Sequence, residues 1–396
     1  MGTTIQTTVL RNARVLAPRS LGRRDLLIVG GGVAAIDTDL PVLPRRLPHE
    51  EIDLDGLFVM PGLIDAHVHL TGGGGEAGPE TRVPPVELSH LTKAGVTTCV
   101  GVLGTDGTTR TMRDLVASTL AIRALGVSAY CYTGSYQYPV PTLTGSIRDD
   151  IVFVDPIIGV GELALSDHRS SQLTLAELLR VASDAYTAGL MSGKAGVLHL
   201  HMGDGPRQFQ LLEEALDTAE IPARVYHPTH VNRRVDLFEA SQALVQRGVT
   251  VDVTAFPDAG DGLLAAAAID RWLLEGHPID RITCSSDGGG CLPVFDEDGE
   301  LLSMDVGRSD VLVETIQSLL HMGHQLETFA PIFTSNIART LRLPDKGHLS
   351  PGADADLVAL DPEGQVRYVM CAGQWVVRDG DIVRRGNFEG SRKADS

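Results

Sequence analysis

The sequence predicts an α/β fold: a (β/α)8 TIM barrel with a small β-sandwich domain formed from both termini. Three observations carry that expectation. A strand–loop–helix pattern repeats eight times between about Leu63 and Leu343, which suits the count and span of such a barrel. Short β-rich segments separated by turns stand before and after that stretch. The residues able to do chemistry close the strands, where a (β/α)8 barrel keeps its active site. The implied limits are 1–59 with 344–396 for the sandwich and 60–343 for the barrel.

Taken in order, Thr8–Leu16 and Asp25–Val29 are β-rich, and Ala34–Asp37 continues after Gly30, Gly31 and Gly32. That glycine cluster reads as a hairpin turn, because an acidic, Pro-rich stretch follows it and not the helix of a dinucleotide fingerprint. The eight barrel strands are expected at Leu63–His69, Thr97–Leu103, Ser128–Thr133, Ile157–Glu162, Val197–His201, Arg224–His230, Thr250–Thr254 and Ile282–Asp287. The clearest helix is Thr174–Ala188. Thr174 and Glu177 form a capping box, and Leu175, Leu178, Leu179 and Ala182 share one face. Strands resume at Asp356–Leu360, Val366–Cys371 and Gln374–Val377, and the polar tail Gly390–Ser396 reads as frayed.

Composition narrows the partners. The 396 residues are 43% hydrophobic, ample for a packed core, and carry a net charge of −18. That balance argues against nucleic acid and against anionic membrane surfaces, both of which select basic patches. No apolar run approaches the ~18 residues of a membrane span, and the first residues show no signal-peptide pattern. The five cysteines, Cys99, Cys131, Cys284, Cys291 and Cys371, form no CxxC pair. They read as reduced thiols of a cytoplasmic protein.

The chemistry centres on Pro61–Glu76, PGLIDAHVHLTGGGGE. His67 and His69 stand at i and i+2 on a strand and so face the same way, roughly 7 Å apart at Cα. Four glycines, Gly72 to Gly75, then let backbone pass close to a ligand before Glu76. The fourth strand ends in Glu162, followed by Ser166, Asp167, His168 and Arg169. The fifth ends in His201, the sixth in His230 and the eighth in Asp287. Four histidines and two carboxylates at strand ends make a metal-site inventory. His199, His227 and His168 read as barrel interior.

These residues resemble the amidohydrolase superfamily: HVH on the first strand, histidines on the fifth and sixth, aspartate on the eighth, and PGADADLV near the C-terminus. Within it HLTGGGGEAGPETR, VGVLGTDGTTR, TGSY, SDHRS, HMGD and PTHVNR are similar to the isoaspartyl dipeptidase family. The resemblance implies two Zn2+ ions, the more buried one on His67 and His69 and the more exposed one on His201 and His230. It implies hydrolysis of the isopeptide amide of a small β-aspartyl dipeptide by a metal-bridging hydroxide, and a homo-oligomer. Asp287 would touch the buried metal and act as general base and then acid. Tyr136 would steady the oxyanion. Glu76 would hold an α-ammonium group, Arg169 and Arg233 α-carboxylates, and Thr105 would add a polar contact.

Two positions depart from the family pattern. Glu162, in GVGELALSDHRS, stands where the family carries a carboxylated lysine, so Glu162 is expected to bridge the metals with no carboxylated lysine. The lysine carbamate is longer by roughly 3–4 Å, so a bulge near Gly161 is expected to push Glu162 inward. Cys291, in SSDGGGC, replaces a serine that contacts the substrate carboxylate, and a thiol is the weaker donor. The rival readings are an N-acyl-amino-acid deacylase, a cyclic-amide hydrolase, or a non-catalytic scaffold of the same fold.

Overall fold

The computed structural model describes residues 6–295 and 301–390; the tail from 391 onward, Lys393 included, lies outside them. Eight parallel strands form the centre: β1 Leu63–Val68, β2 Val96–Gly101, β3 Ser128–Thr133, β4 Ile157–Leu165, β5 Val197–Met202, β6 Tyr226–Thr229, β7 Val251–Thr254 and β8 Ile282–Ser285. β1 to β6 pair in sequence order as one six-stranded sheet, and β7 pairs with β8. β8 stands beside β1 through the Val68–Gly288 bridge and the His69 N–H bond to the Gly288 carbonyl, 2.8 Å. β7 stands beside β6, where Val231 N–H donates to the Asp252 carbonyl at 3.3 Å.

A helix follows every strand, and its apolar face closes over the sheet. Every residue of these strands except Ser128 and Tyr130 is buried, as expected of strands covered on both faces. After β4 the helix Leu175–Ser192 begins at the expected capping box: Glu177 N–H donates to Thr174 Oγ1 at 3.4 Å, and Thr174 N–H to Glu177 Oε2 at 2.8 Å. Its Leu178, Val181, Ala182 and Ala185 are buried.

The chain ends combine in a second sheet. Its order runs Asp381–Ile382, Gln374–Arg378, Val366–Cys371, Leu357–Leu360, Phe58–Pro61, Thr7–Leu16, Ser20–Val29 and Gly32–Asp37, with Glu50–Asp53 also on Thr7–Leu16. Gly30 and Gly31 make the turn of the hairpin that pairs Val29 with Gly32. An apolar cluster that includes Leu10, Leu26, Ile28, Val59, Leu357 and Met370 lies on this sheet. Gly62 alone separates Phe58–Pro61 from β1, so the terminal sheet feeds straight into the strand that carries His67. Lys346 ties the two parts, bonding Asp356 at 2.5 Å and the Ser128 hydroxyl at 2.6 Å. None of the described helices is long and apolar enough to cross a membrane.

Several strand limits differ from the sequence reading, among them the second strand of the chain, which begins at Ser20. β4 runs three residues past Glu162, to Leu165. After β8, Cys291–Phe295 and Leu301–Val306 form an antiparallel hairpin that the sequence does not announce.

Candidate metal centre and substrate pocket

The centre depends on an irregularity in β4. Val160 pairs with Leu198 and Leu163 with Leu200, so Gly161 and Glu162 together face His199. Two residues against one is a β-bulge. The Gly161–Glu162 peptide is cis. A Cβ on Gly161 would lie 2.8 Å from the His199 Cβ, so the position admits only glycine. The extra residue turns Glu162 inward, fully buried.

Its carboxylate lies among four imidazoles. Glu162 Oε1 is 3.3 Å from His67 Nε2 and 3.4 Å from His69 Nε2. Glu162 Oε2 is 3.2 Å from His201 Nδ1 and 3.6 Å from His230 Nε2. Asp287 Oδ1 adds contacts of 3.0 Å to His69 Nε2 and 3.4 Å to His67 Nε2. Two ligand-sized groups result: His67, Glu162 and His230, and His67, His69 and Asp287. His201 stands outside both. Its Nδ1 faces Glu162 and lies 2.8 Å from the Tyr136 hydroxyl, while its Nε2 lies 3.0 Å from Asp167 Oδ2.

These residues suit a cation. Glu162 Oε1 and Asp287 Oδ1 are buried without a hydrogen-bond partner, an arrangement that costs free energy unless a positive charge meets them. Burial pushes the Glu162 carboxyl up, but His67, His201 and His230 outweigh it and hold it well below its usual range. Asp287 is likewise held at about 2 against its burial, by His67 and His69. Burial lowers His67, yet Glu162 and Asp287 carry it up to about 9. Two ionised carboxylates thus share a buried site with imidazole nitrogens, a donor set matched to Zn2+. Lysines are elsewhere among the described residues: Lys93 is exposed, Lys194 bonds three backbone carbonyls at 2.6 to 3.0 Å, and Lys346 is held by Asp356.

The side chains beside the centre are charged. Arg169 donates to both oxygens of Asp167, at 3.0 and 2.8 Å, and its third nitrogen reaches Glu76 Oε1 at 3.5 Å. Its guanidinium lies 5.3 Å over the Tyr136 ring. Burial raises the Tyr136 hydroxyl well above its usual value, so it remains a donor. Arg233 donates to the Met202 carbonyl at 2.8 Å, and the same nitrogen lies 3.2 Å from His201 Nε2. Cys291 is half-buried and opens the unannounced hairpin beside the glycine loop. Burial, then Glu76 and Asp287, push its thiol up to about 12. Thr105 is half-buried after β2, and its carbonyl accepts from Gln137 at 2.9 Å.

Sequence reasoning assigned no role to Asp167 or Arg110. Asp167 joins His201 to Arg169. Arg110 is buried, pairs with Asp106 at 3.2 Å, and grips the glycine loop through four carbonyls: Thr71 at 3.2 Å, Gly73 at 2.8 Å, Gly74 at 3.0 Å and Val83 at 3.1 Å. Gly72 has φ 76°, and a Cβ there would lie 2.0 Å from the Val83 carbonyl oxygen, so the loop that Arg110 holds needs its glycine. The signal for Arg110 was its place at the end of VGVLGTDGTTR, a motif already singled out. His199 and His227 are interior as expected. His168 is not: its side chain is 62% exposed, because the chain turns outward after β4.

The amidohydrolase family model matches residues 58–376. β-Aspartyl dipeptidase from Fervidobacterium islandicum AW-1, solved in complex with β-Asp-Leu, is 39% identical. The match covers 97% of this chain and 100% of that one, with a TM-score of 0.91. An allantoinase from Deinococcus radiodurans is 26% identical over 89% of this chain and 86% of its own length. D-hydantoinase from Bacillus sp. AR9, at 17% identity over 96% of this chain and 97% of that one, shares the fold with a TM-score of 0.68. On the family match and the Fervidobacterium likeness, the chain belongs to the amidohydrolase family and within it groups with the β-aspartyl dipeptidases.

Proposed function

We propose that this chain hydrolyses the isopeptide amide bond of β-aspartyl dipeptides, with two Zn2+ ions held by His67, His69, Glu162, His201, His230 and Asp287 and with no carboxylated lysine. One observation carries the reading. The Glu162 carboxylate offers one oxygen to His67 and His69 and the other to His201 and His230, at 3.2 to 3.6 Å. This division of the two oxygens supports a carboxylate that would sit between two cations. The Fervidobacterium complex with β-Asp-Leu supports the substrate class.

Bound zinc lowers the pKa of water to near neutrality and polarises an amide carbonyl. The chain's own groups do the rest. Asp287, ionised and against His67 and His69, takes the proton of the attacking water and passes it to the leaving amine nitrogen. Tyr136, held protonated by burial, donates to the oxygen that gains charge. Glu76 receives the α-ammonium group. Arg169 and Arg233 receive carboxylates, and Thr105 and Cys291 add polar contacts. In this reading the eight strands close into a (β/α)8 barrel, residues 60–343, and the terminal sheet folds into a β-sandwich of residues 1–59 and 344–396. The protein acts in the cytoplasm as a homo-oligomer on a free dipeptide, without nucleic acid or membrane.

The test compares β-Asp-Leu with α-Asp-Leu on zinc-loaded protein. Moving the scissile carbonyl by one methylene against the ammonium anchor displaces it by on the order of 1 Å, worth ~100-fold. Equal rates on both isomers, or cleavage of N-acyl substrates only, would sink the assignment.

A further inference from the structure

Beneath the metal centre the barrel interior is polar and connected. His67 Nδ1 lies 2.9 Å from His199 Nε2, and His199 Nδ1 lies 3.1 Å from His227 Nδ1. His227 Nε2 is 3.0 Å from Thr283 Oγ1, which is 2.6 Å from Asp252 Oδ1. A second line starts at His230, whose Nδ1 is 2.7 Å from Thr254 Oγ1. Thr254 Oγ1 is 3.4 Å from Thr229 Oγ1, and Thr229 Oγ1 is 2.7 Å from Asp252 Oδ2. Ser285 also donates to Oδ2, at 2.5 Å. Every member is at most 1% exposed. Two of the metal histidines, on different strands, are therefore wired to one carboxylate on β7.

The end of each line dictates its direction. A carboxylate accepts and does not donate. Thr283 must give its O–H to Asp252, so its lone pair accepts the Nε2–H of His227. Among the described residues no carboxylate touches His227 or His199, so a second proton on either ring would be an unpaired buried charge, and each ring holds a single proton. His227 then has a bare Nδ1, which accepts from His199 Nδ1–H. His199 has a bare Nε2, which accepts from His67 Nδ1–H. His67 thus keeps a proton on Nδ1, and Nε2, facing Glu162, is the nitrogen that a cation would take in exchange for any proton there. The second line ends the same way: Thr229 gives its proton to Asp252, Thr254 to Thr229, and His230 Nδ1–H to Thr254, leaving His230 Nε2 bare.

We propose that Asp252 is the positioning residue of the metal centre, acting through Thr283, His227 and His199 on His67 and through Thr229 and Thr254 on His230, so that both rings keep their proton on Nδ1 and offer Nε2 to a cation. The inference rests on the metal reading above. Asp252 touches neither ligand, and its effect is to remove the wrong tautomer, in which the ring would turn an N–H toward the cation. Groups that orient metal histidines this way are commonly worth 10- to 100-fold in affinity.

The experiment uses full-length protein and zinc dissociation constants from chelator competition, with the melting temperature of the metal-free protein recorded for each variant. Thr283→Val keeps the side-chain shape and cuts the first line; Thr283→Ser keeps the hydroxyl. The expected result is that Thr283→Val weakens zinc binding roughly 10- to 100-fold and Thr283→Ser restores it. Asp252→Asn should weaken it at least as much, and the double variant with Thr283→Val should show less than the sum of the two effects. Should Asp252→Asn fail to fold, the Thr283 pair decides. Thr283→Val with the wild-type zinc constant, or Thr283→Ser as weak as Thr283→Val, would overturn the relay while leaving the metal reading in place. Wild-type protein that binds no zinc would overturn the metal reading itself.

Discussion

Replacing Glu162 tests the centre most directly. Glu162→Ala removes two oxygens that lie 3.2 to 3.6 Å from four imidazoles and leaves two cation positions facing one carboxylate, Asp287, in place of two. Stripping one partner from a buried, charged constellation costs about 3–5 kcal/mol, or roughly 100- to 4,000-fold in zinc affinity. Glu162→Asp keeps the charge but withdraws it by one C–C bond, about 1.5 Å. That lengthens contacts on one side of the bridge beyond ligand reach, so it should hold one zinc tightly and the second weakly. The assay is metal stoichiometry and chelator competition, followed by turnover of β-Asp-Leu at saturating zinc. A parallel reconstitution of the wild type under bicarbonate-free conditions should lose no activity, because a glutamate needs no CO2 to become a bridge. The reasoning fails if Glu162→Ala retains two tightly held zinc ions with near-normal turnover, or if the wild type recovers activity only when bicarbonate is returned.

Arg233→Ala should cost ~1.5–3 kcal/mol, roughly 10- to 150-fold in kcat/KM, with zinc content unchanged; metal loss in this variant would make Arg233 structural. Cys291→Ser should lower KM for β-Asp-Leu by roughly fivefold, the ~1 kcal/mol by which a hydroxyl improves on a weak thiol donor. An unchanged KM would place Cys291 out of contact with substrate. Arg110→Met leaves four loop carbonyls without their donor and should destabilise the protein by about 3 kcal/mol, a melting shift of roughly 3–4 °C for a chain of this size. KM should rise more than kcat falls, because Arg110 holds Gly73 and Gly74, on the side of the loop that runs into Glu76. Loss of kcat alone would contradict that.

The strand ends were legible because short β-rich segments alternate with helical ones, and several of those segments close in His, Glu or Asp. The bulge at Glu162 was legible for a local reason: Gly159 and Gly161 mark a strand that must bend, and His199 has no room for a side chain at 161. What escaped notice depends on partners far away in the chain. Asp252 sits in VDVT, and its hydrogen-bond partners Thr229, Thr283 and Ser285 come from strands on either side. Arg110 follows a run of small polar residues and looks like any surface cation until the carbonyls of residues 71–83 close round it. His168 was misplaced because its neighbours Asp167 and Arg169 both face the pocket and only the turn between them sends it outward. The hairpin that starts at Cys291 carries a proline and an acidic segment, which mask its pairing.

The contact between Arg169 and Glu76 gives the pocket a counter-ion of its own. A zwitterionic dipeptide would enter by exchanging partners: its ammonium takes Glu76, and its carboxylate takes the face of Arg169 that Glu76 held. No isolated charge is buried on the way, and because one ion pair replaces another, the swap adds little to affinity. Its value lies in what it refuses. A molecule that brings only the carboxylate draws Arg169 away and strands Glu76, whose second oxygen already lies buried without a hydrogen-bond partner, and a stranded buried charge is penalised far more than a matched one is rewarded. With Glu76 and Arg169 in the roles proposed above, the pair would act as a lock that demands both charges at once, and acidic amides with a blocked amine would be turned away without any group dedicated to excluding them.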